Sequence, residues 1–336
     1  MENELTKVSV DAMGGDNAPL EIVKGAVEAV NESDKIKVFL VGKEEVLNET
    51  LKSFEYDKSR IEVVNATEEI TCDDSPVAAV RTKTDSSISV ALRLVKEGQA
   101  DAFVSAGSTG AVLVGAQLIV GKIKGVERSP LAPLIPTRKG YALLIDCGAN
   151  VDARSSHLVQ FAKMGSIYMR DVFGIKNPRV AIVNVGLEEE KGNKLVKETY
   201  PLLKDCDDIN FIGSIEAREI PNDFADVIVC DAFVGNVILK LYEGLGKTLI
   251  GMVKESIKSS FISKIGGLLI KKKLKMALAN MSSDAYGGAP MLGLNGLVIK
   301  THGSSKAIEV KNSILQCISF KEQNITEKFK QNLVQN

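Results

Sequence analysis

Short runs of apolar residues, each followed by a turn and a helical pattern, recur along the whole length of this 336-residue chain. Two of the runs, at 180–183 and 227–229, consist only of valine, isoleucine and alanine. Unbroken apolar runs of this kind are typical of strands that are covered on both faces in a parallel sheet. The segments at 109–120, 155–173 and 191–203 are long enough for crossover helices. The alternation therefore predicts an α/β fold with an extended, mostly parallel sheet and flanking helices.

The predicted strands follow one another without an obvious boundary. They lie at 7–13, 36–42, 61–66, 101–107, 141–147, 179–186, 209–215, 226–231 and 296–302. Because no internal repeat or low-complexity linker separates them, we expect residues 1–336 to form a single two-lobed unit.

The charge balance and the cysteine count disfavour several classes of protein. Lys and Arg number 42 and Asp and Glu 43, so the net charge of −1 provides no basic field for nucleic acid. The five cysteines form no CxxC pair, which is typical of a reducing cytoplasm. Two histidines without an HExxH motif indicate no metal centre. We therefore expect a cytoplasmic protein without a signal peptide or membrane span, and without nucleic acid, metal or cofactor.

The turns after the predicted strands are the candidate site, because ligands of α/β folds bind where strands end and helices begin. The turn at 105–110 reads SAGSTG, and its small residues leave backbone N–H groups and hydroxyls exposed at the start of a helix. Such a turn suits an oxyanion, whereas its glycine spacing does not match the GxGxxG dinucleotide fingerprint. In the turn at 11–19, Asp16 or Asn17 can cap the helix that Pro19 opens.

Four further turns carry similar polar residues at strand ends, at 146–150, 184–193, 230–236 and 300–305. Six such turns predict a shared polar cleft, because the carboxyl ends of parallel strands lie at one edge of a sheet. Cys147 follows a buried strand, which is more typical of a small core residue than of a nucleophile activated by His302.

The segment 252–281 is basic and amphipathic. It contains seven lysines and one glutamate, a local charge of +6, and its apolar residues at 261–269 fall on one face of a helix. Gly266 and Gly267 predict a kink or a division into two helices. The segment suits an anionic lipid surface, an acidic partner or a dimer interface, and an ordinary core-facing helix with a lysine-rich exposed side is the remaining alternative.

Six motifs between positions 10 and 305 together resemble one protein family. They read VDAMGGD at 10–16, SAGSTGA at 105–111, DCGAN at 146–150, KGN at 191–193, DAFVGN at 231–236, and GGAPMLGLNG at 287–296, which leads into HGSS at 302–305. The chain resembles the bacterial acyl-carrier-protein:phosphate acyltransferases of phospholipid synthesis. Ser108 and Ala232 stand where many relatives are expected to have asparagine and glycine, and neither difference removes a backbone donor.

This resemblance implies that a long-chain acyl group passes from acyl-carrier-protein to inorganic phosphate, giving acyl phosphate for a membrane glycerol-3-phosphate acyltransferase. It implies a Rossmann-like fold similar to the isocitrate and isopropylmalate dehydrogenases and the phosphotransacetylases, and a homodimer. It also implies peripheral association of the segment 252–281 with an anionic membrane surface. The residues expected to dock there are Phe261, Ile265, Leu268, Lys271, Lys272 and Lys273.

The implied reaction needs no enzyme nucleophile, because phosphate itself attacks the thioester carbonyl. We expect Lys191, Asn236 and His302 to be catalytic, with His302 orienting phosphate or protonating the departing sulfur. The residues expected to bind phosphate and substrate are small or polar residues of the turns, namely Asn17, Ser105, Gly107, Ser108, Thr109, Gly110, Asn150, Asn193, Asp231 and Ser304.

Two other interpretations of the sequence stay open. One is a short-chain phosphotransacetylase that uses coenzyme A, and the other is a non-catalytic membrane scaffold that acts through 252–281. A nicotinamide-dependent dehydrogenase is disfavoured, because both the glycine spacing and a ribose-binding acidic residue are missing.

Overall fold

The computed structural model describes residues 5–279 and 287–333 and divides them into two compact units. Unit 1 contains residues 5–133, 167–176 and 287–333, and unit 2 contains residues 134–166 and 177–279. The predicted α/β class with mostly parallel strands is confirmed. The strands are divided between a six-stranded and a five-stranded sheet rather than lying in one extended sheet.

Unit 1 is built on the six-stranded sheet, whose strands lie in the order β10-β11-β4-β1-β2-β3. The strands are β1 (Thr6–Asp11), β2 (Ile36–Gly42), β3 (Ile61–Asn65), β4 (Ala102–Ser105), β10 (Ala289–Met291) and β11 (Leu297–Lys300). All pairs are parallel except β10 with β11. From β1 the chain continues to β2 and β3 on one side, whereas β4 lies on the other side of β1. The carboxyl ends of β1 and β4 therefore flank a topological switch point, where open α/β sheets bind ligands.

Helices cover the sheet of unit 1 and bury its strands. They are α1 (Leu20–Glu32), α2 (Glu44–Leu51), α3 (Pro76–Thr82), α4 (Ser87–Lys96), α5 (Thr109–Gly115), α10 (Ala307–Glu322) and α11 (Ile325–Leu333). A π-helical turn at Ala116–Val120 continues α5 without a break. Helices α1 and α10 approach so closely that a Cβ on Gly25 would lie 2.7 Å from the carbonyl oxygen of Ala307. Glycine at this position therefore allows the two helices to pack against each other.

Unit 2 is built on the five-stranded sheet, whose strands lie in the order β5-β6-β9-β7-β8. The strands are β5 (Leu134–Pro136), β6 (Tyr141–Ile145), β7 (Arg179–Val183), β8 (Asn210–Ile215) and β9 (Val227–Val229). All pairs are parallel except β5 with β6. Residues 180–182 and 227–229 are completely buried, which confirms that these apolar runs are strands covered on both faces.

The helices that follow these strands include a long pair near the end of unit 2. The helices are α6 (Ser155–Phe173), whose last residues belong to unit 1, α7 (Lys194–Lys204), α8 (Ala232–Lys258) and α9 (Phe261–Ala279), together with a 3₁₀ turn at Ala217–Asn222. The predicted division into two helices at Gly266 and Gly267 is wrong, because α9 runs through both glycines and the two helices meet at 259–260 instead. A Cβ on Gly267 would lie 2.4 Å from Cγ2 of Ile257, so this glycine allows α9 to pack closely on α8. Positions 280 and 281 of the predicted basic segment lie outside the described residues.

Within residues 5–279 and 287–333, no helix combines the length and the hydropathy that crossing a membrane requires.

We predict opposite effects of two glycine-to-alanine substitutions in α8. A Cβ at position 235 would lie 1.9 Å from the carbonyl oxygen of Asp146, so Gly235→Ala should lower the free energy of unfolding by about 1–3 kcal/mol or more. Gly246 has no atom within 4 Å of its Cβ position. Gly246→Ala should therefore raise that free energy by up to about 1 kcal/mol through helix propensity. Urea titration followed by circular dichroism measures both changes, and equal midpoints for the two variants would refute the predicted close approach.

Candidate active site

In unit 1, three loops at the carboxyl ends of adjacent strands contact one another, and we call them the unit 1 loop cluster: residues 12–19, 106–108 and 301–306. Gly15 has a φ of +102°, and a Cβ there would lie 2.8 Å from Cβ of Ala106 and 2.9 Å from the carbonyl oxygen of Gly303. The backbone N–H of Asp16 donates to that same oxygen of Gly303 at 2.8 Å. The structure therefore brings together three of the predicted turns within this unit.

A buried carboxylate holds two of these loops in place. Asp11 ends β1 in register with Ser105 at the end of β4, and the Ser105 hydroxyl donates to Oδ2 of Asp11 at 2.7 Å. The Ser105 oxygen in turn accepts from the N–H of Gly107 at 2.9 Å, while the N–H of Met13 donates to Oδ1 of Asp11 at 3.3 Å. Burial raises the pKa of Asp11 above its ordinary value, and hydrogen bonds from Ser87 and Ser105 oppose that rise. The Ser105 hydroxyl thus positions the loop.

The loop after β4 presents backbone donors at the start of α5. Ser108 is the N-cap, and its hydroxyl accepts from the N–H of Ala111 at 3.5 Å. Thr109 is exposed, and a Cβ on Gly110 would lie 2.5 Å from Cγ of Pro76. The helical segment continues through Val120, so the N–H groups of its first turn lie at the positive end of several aligned peptide dipoles.

Asn17 joins the first loop of the cluster to the third. Its Nδ2 donates to the carbonyl oxygens of Ser304 at 3.0 Å and Ser305 at 3.2 Å. Its predicted role as a helix cap is wrong, and Asp16 does not cap either, because α1 begins at Leu20 behind Pro19 without a side-chain cap. The side chain of Asn17 instead donates its hydrogen bonds to carbonyl groups of the third loop.

The third loop contains His302 and two serines. Nδ1 of His302 lies 2.8 Å from the Ser304 hydroxyl and accepts from the N–H of Ser304 at 3.2 Å. This pattern places the ring proton of neutral His302 on Nε2. Ser305 is only 1% exposed, and its hydroxyl has no hydrogen-bond partner among the described residues. A buried hydroxyl in that state is a group that a ligand can satisfy.

In unit 2, a second buried aspartate organises the loop after β6. Oδ1 of Asp146 accepts from the N–H groups of Gly148 and Ala149, both at 3.2 Å. Oδ2 accepts from the backbone N–H and the side-chain amide of Asn150, at 2.8 and 2.7 Å. The carbonyl of Asn150 accepts from the N–H of Ala232, which ties this loop to the start of α8. The predicted residue Asn150 therefore connects two strand ends of unit 2.

The loop after β7 carries Lys191 and Asn193. Nδ2 of Asn184 donates to the carbonyl of Lys191 and to the Ser214 hydroxyl, which folds the loop back onto the sheet. Asn193 caps α7 by accepting from the N–H of Val196 at 2.9 Å. The half-exposed ammonium of Lys191 lies 2.8 Å from the carboxylate of Glu188, which raises the pKa of Lys191. Lys191 is therefore a cation at neutral pH.

The loop after β9 positions the start of α8. Asp231 is the N-cap and accepts from the N–H groups of Phe233 and Val234 at 2.9 and 3.0 Å. Asn236 lies exposed in the first turns of the helix. Asp231 and Asn193 both line a cavity of about 320 Å³ within unit 2.

Cys147 is unsuited to nucleophilic catalysis. It is buried, and its thiol donates to the carbonyl of Leu144 at 3.5 Å. Burial raises the pKa of this thiol well above its ordinary value, so the thiolate is disfavoured. The part of the chain that the structure describes also contains no group of three His, Cys, Asp or Glu side chains placed to hold a metal ion.

Three residues that matter for the loops were not among the predicted site residues: Asp11, Asp146 and Ser305. Asp11 ends an apolar strand, Asp146 directly follows one, and each precedes a glycine by two or three positions; that pattern is a signal that could have identified them. Ser305 had no comparable signal, because only its burial distinguishes it from Ser304.

Helices α8 and α9 expose two apolar surfaces. The first is the α8 stripe, with one exposed side chain per turn: Phe233, Val237, Leu241, Leu245 and Leu249. The second is the α9 face, formed by Phe261, Ile265 and Leu268, of which Phe261 is 78% exposed and Leu268 is 71% exposed. Lys271, Lys272 and Lys273 follow it and are exposed as well. Large exposed apolar surfaces of this kind mark sites of interaction with a protein or a membrane.

Known proteins resemble this chain in sequence and in fold. The family described as "Fatty acid synthesis protein" matches residues 6–328. The phosphate acyltransferase of Clostridium beijerinckii is 50% identical over 320 residues, which cover 95% of this chain and 96% of that protein. The EutD phosphotransacetylase from Staphylococcus aureus matches with a TM-score of 0.60 and 18% identity, over 94% of each chain. The 4-hydroxythreonine-4-phosphate dehydrogenase from Klebsiella pneumoniae matches with a TM-score of 0.52 and 15% identity, over 96% of this chain and 100% of that one. At these identities the two structures confirm the expected fold alone.

We predict that Asp11→Asn changes the pH dependence of the free energy of unfolding. Burial raises the pKa of Asp11 above the ordinary 3.8, so the folded state keeps a proton that the unfolded state has already lost as the pH rises past that value. The contribution of Asp11 to stability is therefore greatest at low pH and declines as the pH rises towards the folded pKa. The variant lacks this decline, so its stability relative to the wild type should rise with pH and then level off. Urea titrations of both proteins from about pH 4 to about pH 8 measure the difference, and a constant offset would contradict the raised pKa.

Proposed function

Because this chain belongs to the fatty acid synthesis family of phosphate acyltransferases, we propose that it transfers a long-chain acyl group from acyl-carrier-protein to inorganic phosphate. The product is acyl phosphate, which a membrane glycerol-3-phosphate acyltransferase would consume. Membership of this family shows that the protein is an acyltransferase. The identities of the acyl donor, the product and the partner proteins are what we propose. The observation that carries it is the unit 1 loop cluster, where a buried unpartnered hydroxyl lies beside exposed polar groups.

The proposed chemistry is a direct displacement. A phosphate oxygen attacks the thioester carbonyl carbon, the C–O bond forms, and collapse of the tetrahedral intermediate breaks the C–S bond. The leaving thiolate has an ordinary pKa near 8.5, so it needs little help from an acid. The enzyme must therefore position the phosphate dianion and stabilise the developing oxyanion.

Phosphate would bind at the unit 1 loop cluster. The backbone N–H groups at 108–110 supply donors at the positive end of a helix, and Gly107 keeps the loop free of side-chain bulk. Ser105 and Asn17 hold the loops in position through the contacts already described. Nε2 of His302 supplies a further N–H, with Ser304 fixing the ring. Ser305 adds its hydroxyl to this set.

The unit 2 residues would act on the thioester. The ammonium of Lys191 and the amide of Asn236 would stabilise the oxyanion, and each donor of this kind contributes on the order of 10²–10³ in rate. Asn150, Asn193 and Asp231 fix the loops that carry these groups, because each of them accepts or donates hydrogen bonds at a strand or helix end.

We predict that the purified protein cleaves an acyl-carrier-protein thioester only when phosphate is present, and that hydroxylamine traps the product as a hydroxamate. Lys191→Ala and His302→Ala should each lower kcat by at least about tenfold without changing the unfolding midpoint. Lys194 is 89% exposed one turn further on, so Lys194→Ala is the matched control and should keep the wild-type rate.

The same assay separates the alternatives. Faster turnover of short-chain acyl-coenzyme A than of acyl-carrier-protein would identify a phosphotransacetylase instead. If no donor yields acyl phosphate, the non-catalytic membrane scaffold is the remaining interpretation. Wild-type rates in both alanine variants would show that Lys191 and His302 are not catalytic.

The two exposed surfaces suit two further partners. A second copy of the chain would cover the α8 stripe in a homodimer, because a stripe with one apolar side chain per turn is what a facing helix requires. The α9 face with its adjoining lysines would lie on an anionic membrane surface, apolar side chains inward and ammonium groups at the headgroups.

We predict that replacing Phe261, Ile265 and Leu268 together by aspartate abolishes co-sedimentation with vesicles containing phosphatidylglycerol. The substitutions remove the apolar contacts and add three negative charges to the α9 face. The matched control places the same charges at exposed serines at the end of α8 and in the turn before α9, in the variant Ser256→Asp, Ser259→Asp and Ser260→Asp. It should bind more weakly than the wild type but still sediment. Equal binding by all three proteins would argue against this surface.

A further inference from the structure

We propose that the cavity in unit 2 binds the fatty acyl chain of the donor and sets the preferred chain length. This inference rests on the proposed function, since it presumes a long-chain acyl substrate. The cavity measures about 320 Å³ and lies at the carboxyl ends of β7 and β9. Its apolar wall includes Leu158, Ile182, Leu195, Val196, Val234 and Ile238.

The polar side chains of the lining each use at least one atom to hold the backbone. Asn184 bonds to the Lys191 carbonyl and the Ser214 hydroxyl. Oδ1 of Asn193 caps α7, and Oδ1 of Asp231 caps α8. No lining residue contributes a buried side-chain polar atom that lacks a partner among the described residues. The buried part of the cavity therefore offers a polar occupant no unpaired side-chain group, whereas an alkyl chain needs none.

One further polar lining group behaves as apolar surface. Cys230 is buried at the end of β9, and its thiol contacts the carbonyl of Asp146 at 3.6 Å. Burial raises the pKa of this thiol well above its ordinary value, which keeps it neutral. A neutral buried thiol packs against an alkyl chain as a small hydrophobic group.

The cavity is continuous with exposed apolar surface. Phe233 and Val237 line it, and they are also the first two members of the α8 stripe, 65% and 53% exposed. Phe233 and Val237 therefore extend the apolar wall of the cavity as far as the stripe that a second copy would cover. Each methylene buried against this wall increases affinity by about fourfold, so the cavity can discriminate between chain lengths.

Ala217 offers a test that leaves the core intact. It lines the cavity yet is exposed at the start of the 3₁₀ turn, so a larger side chain there occupies the cavity mouth without a buried clash. We expect Ala217→Phe to lower kcat/KM for a C16 donor relative to a C4 donor by at least about tenfold, because filling the mouth displaces two or more methylenes. Ala78, on α3 in unit 1, is also exposed and lies outside the cavity, so Ala78→Phe should keep the wild-type ratio.

The outcomes distinguish this inference from the function on which it rests. If the wild type forms acyl phosphate and Ala217→Phe has the wild-type chain-length profile, the cavity is not the acyl site and the proposed function stands. If the wild type forms no acyl phosphate from any donor, the proposed function fails and the inference fails with it.

A binding measurement covers the case in which Ala217→Phe does not fold. The chain contains six tyrosines but no tryptophan, so Phe233→Trp places a single tryptophan at the cavity, whose emission can be excited selectively. Dodecanoate should shift the emission to shorter wavelength with saturation, whereas butyrate at equal concentration should not. Identical spectra with and without dodecanoate would overturn the inference.

Discussion

A buried aspartate at the end of a parallel strand holds the candidate-site loops of each unit. Asp11 binds the Ser105 hydroxyl and the N–H of Met13, while Asp146 binds three backbone N–H groups and the amide of Asn150. Burying a carboxylate costs free energy, and hydrogen bonds to it offset that cost only if the donors stay in place. The loops are therefore confined to conformations that keep these donors directed at the carboxylate.

Glycines make this arrangement sterically possible. A Cβ on Gly14 would lie 2.2 Å from Oδ2 of Asp11, and one on Gly235 would lie 1.9 Å from the carbonyl of Asp146. No other residue fits at these positions without a shift of the backbone. The same absence of side chains leaves backbone N–H groups accessible, so the requirements of packing and of anion binding select the same residue type.

Much of the fold follows from local pattern, and the parts that do not have identifiable physical reasons. The helix predicted at 155–173 coincides with α6, because a long amphipathic segment between two apolar strands has few alternatives. The three-residue strands β5 and β10 were missed, since each contains a proline and lies at a sheet edge, where pairing depends on the neighbour. Gly267 was misinterpreted because its role depends on Ile257, which only the packing of α9 on α8 brings near.

The candidate site shows the same division. The turns were found from their small and polar residues, and the structure groups them as two sets, one in each unit. That they form one shared cleft stays a prediction. Sequence could not show which polar groups are already occupied: Ser105, Asn193 and Asp231 use their side-chain oxygens to hold loops and helix ends. Fewer polar side-chain atoms are therefore available to a substrate than the number of polar residues in the turns suggests.

The unit 1 loop cluster and the unit 2 cavity differ in polarity in the way that the two substrates of the proposed reaction require. The unit 1 loop cluster contains a buried hydroxyl without a partner among the described residues, and helix-terminal amides lie beside it; both are donors for an anion. The unit 2 cavity has an apolar wall and no buried side-chain polar atom that lacks a partner among the described residues, which suits an alkyl chain. A phosphate dianion and a lipid thioester need opposite environments, since one must be hydrogen-bonded and the other must be removed from water. Separate sheets allow each environment to be built without weakening the other.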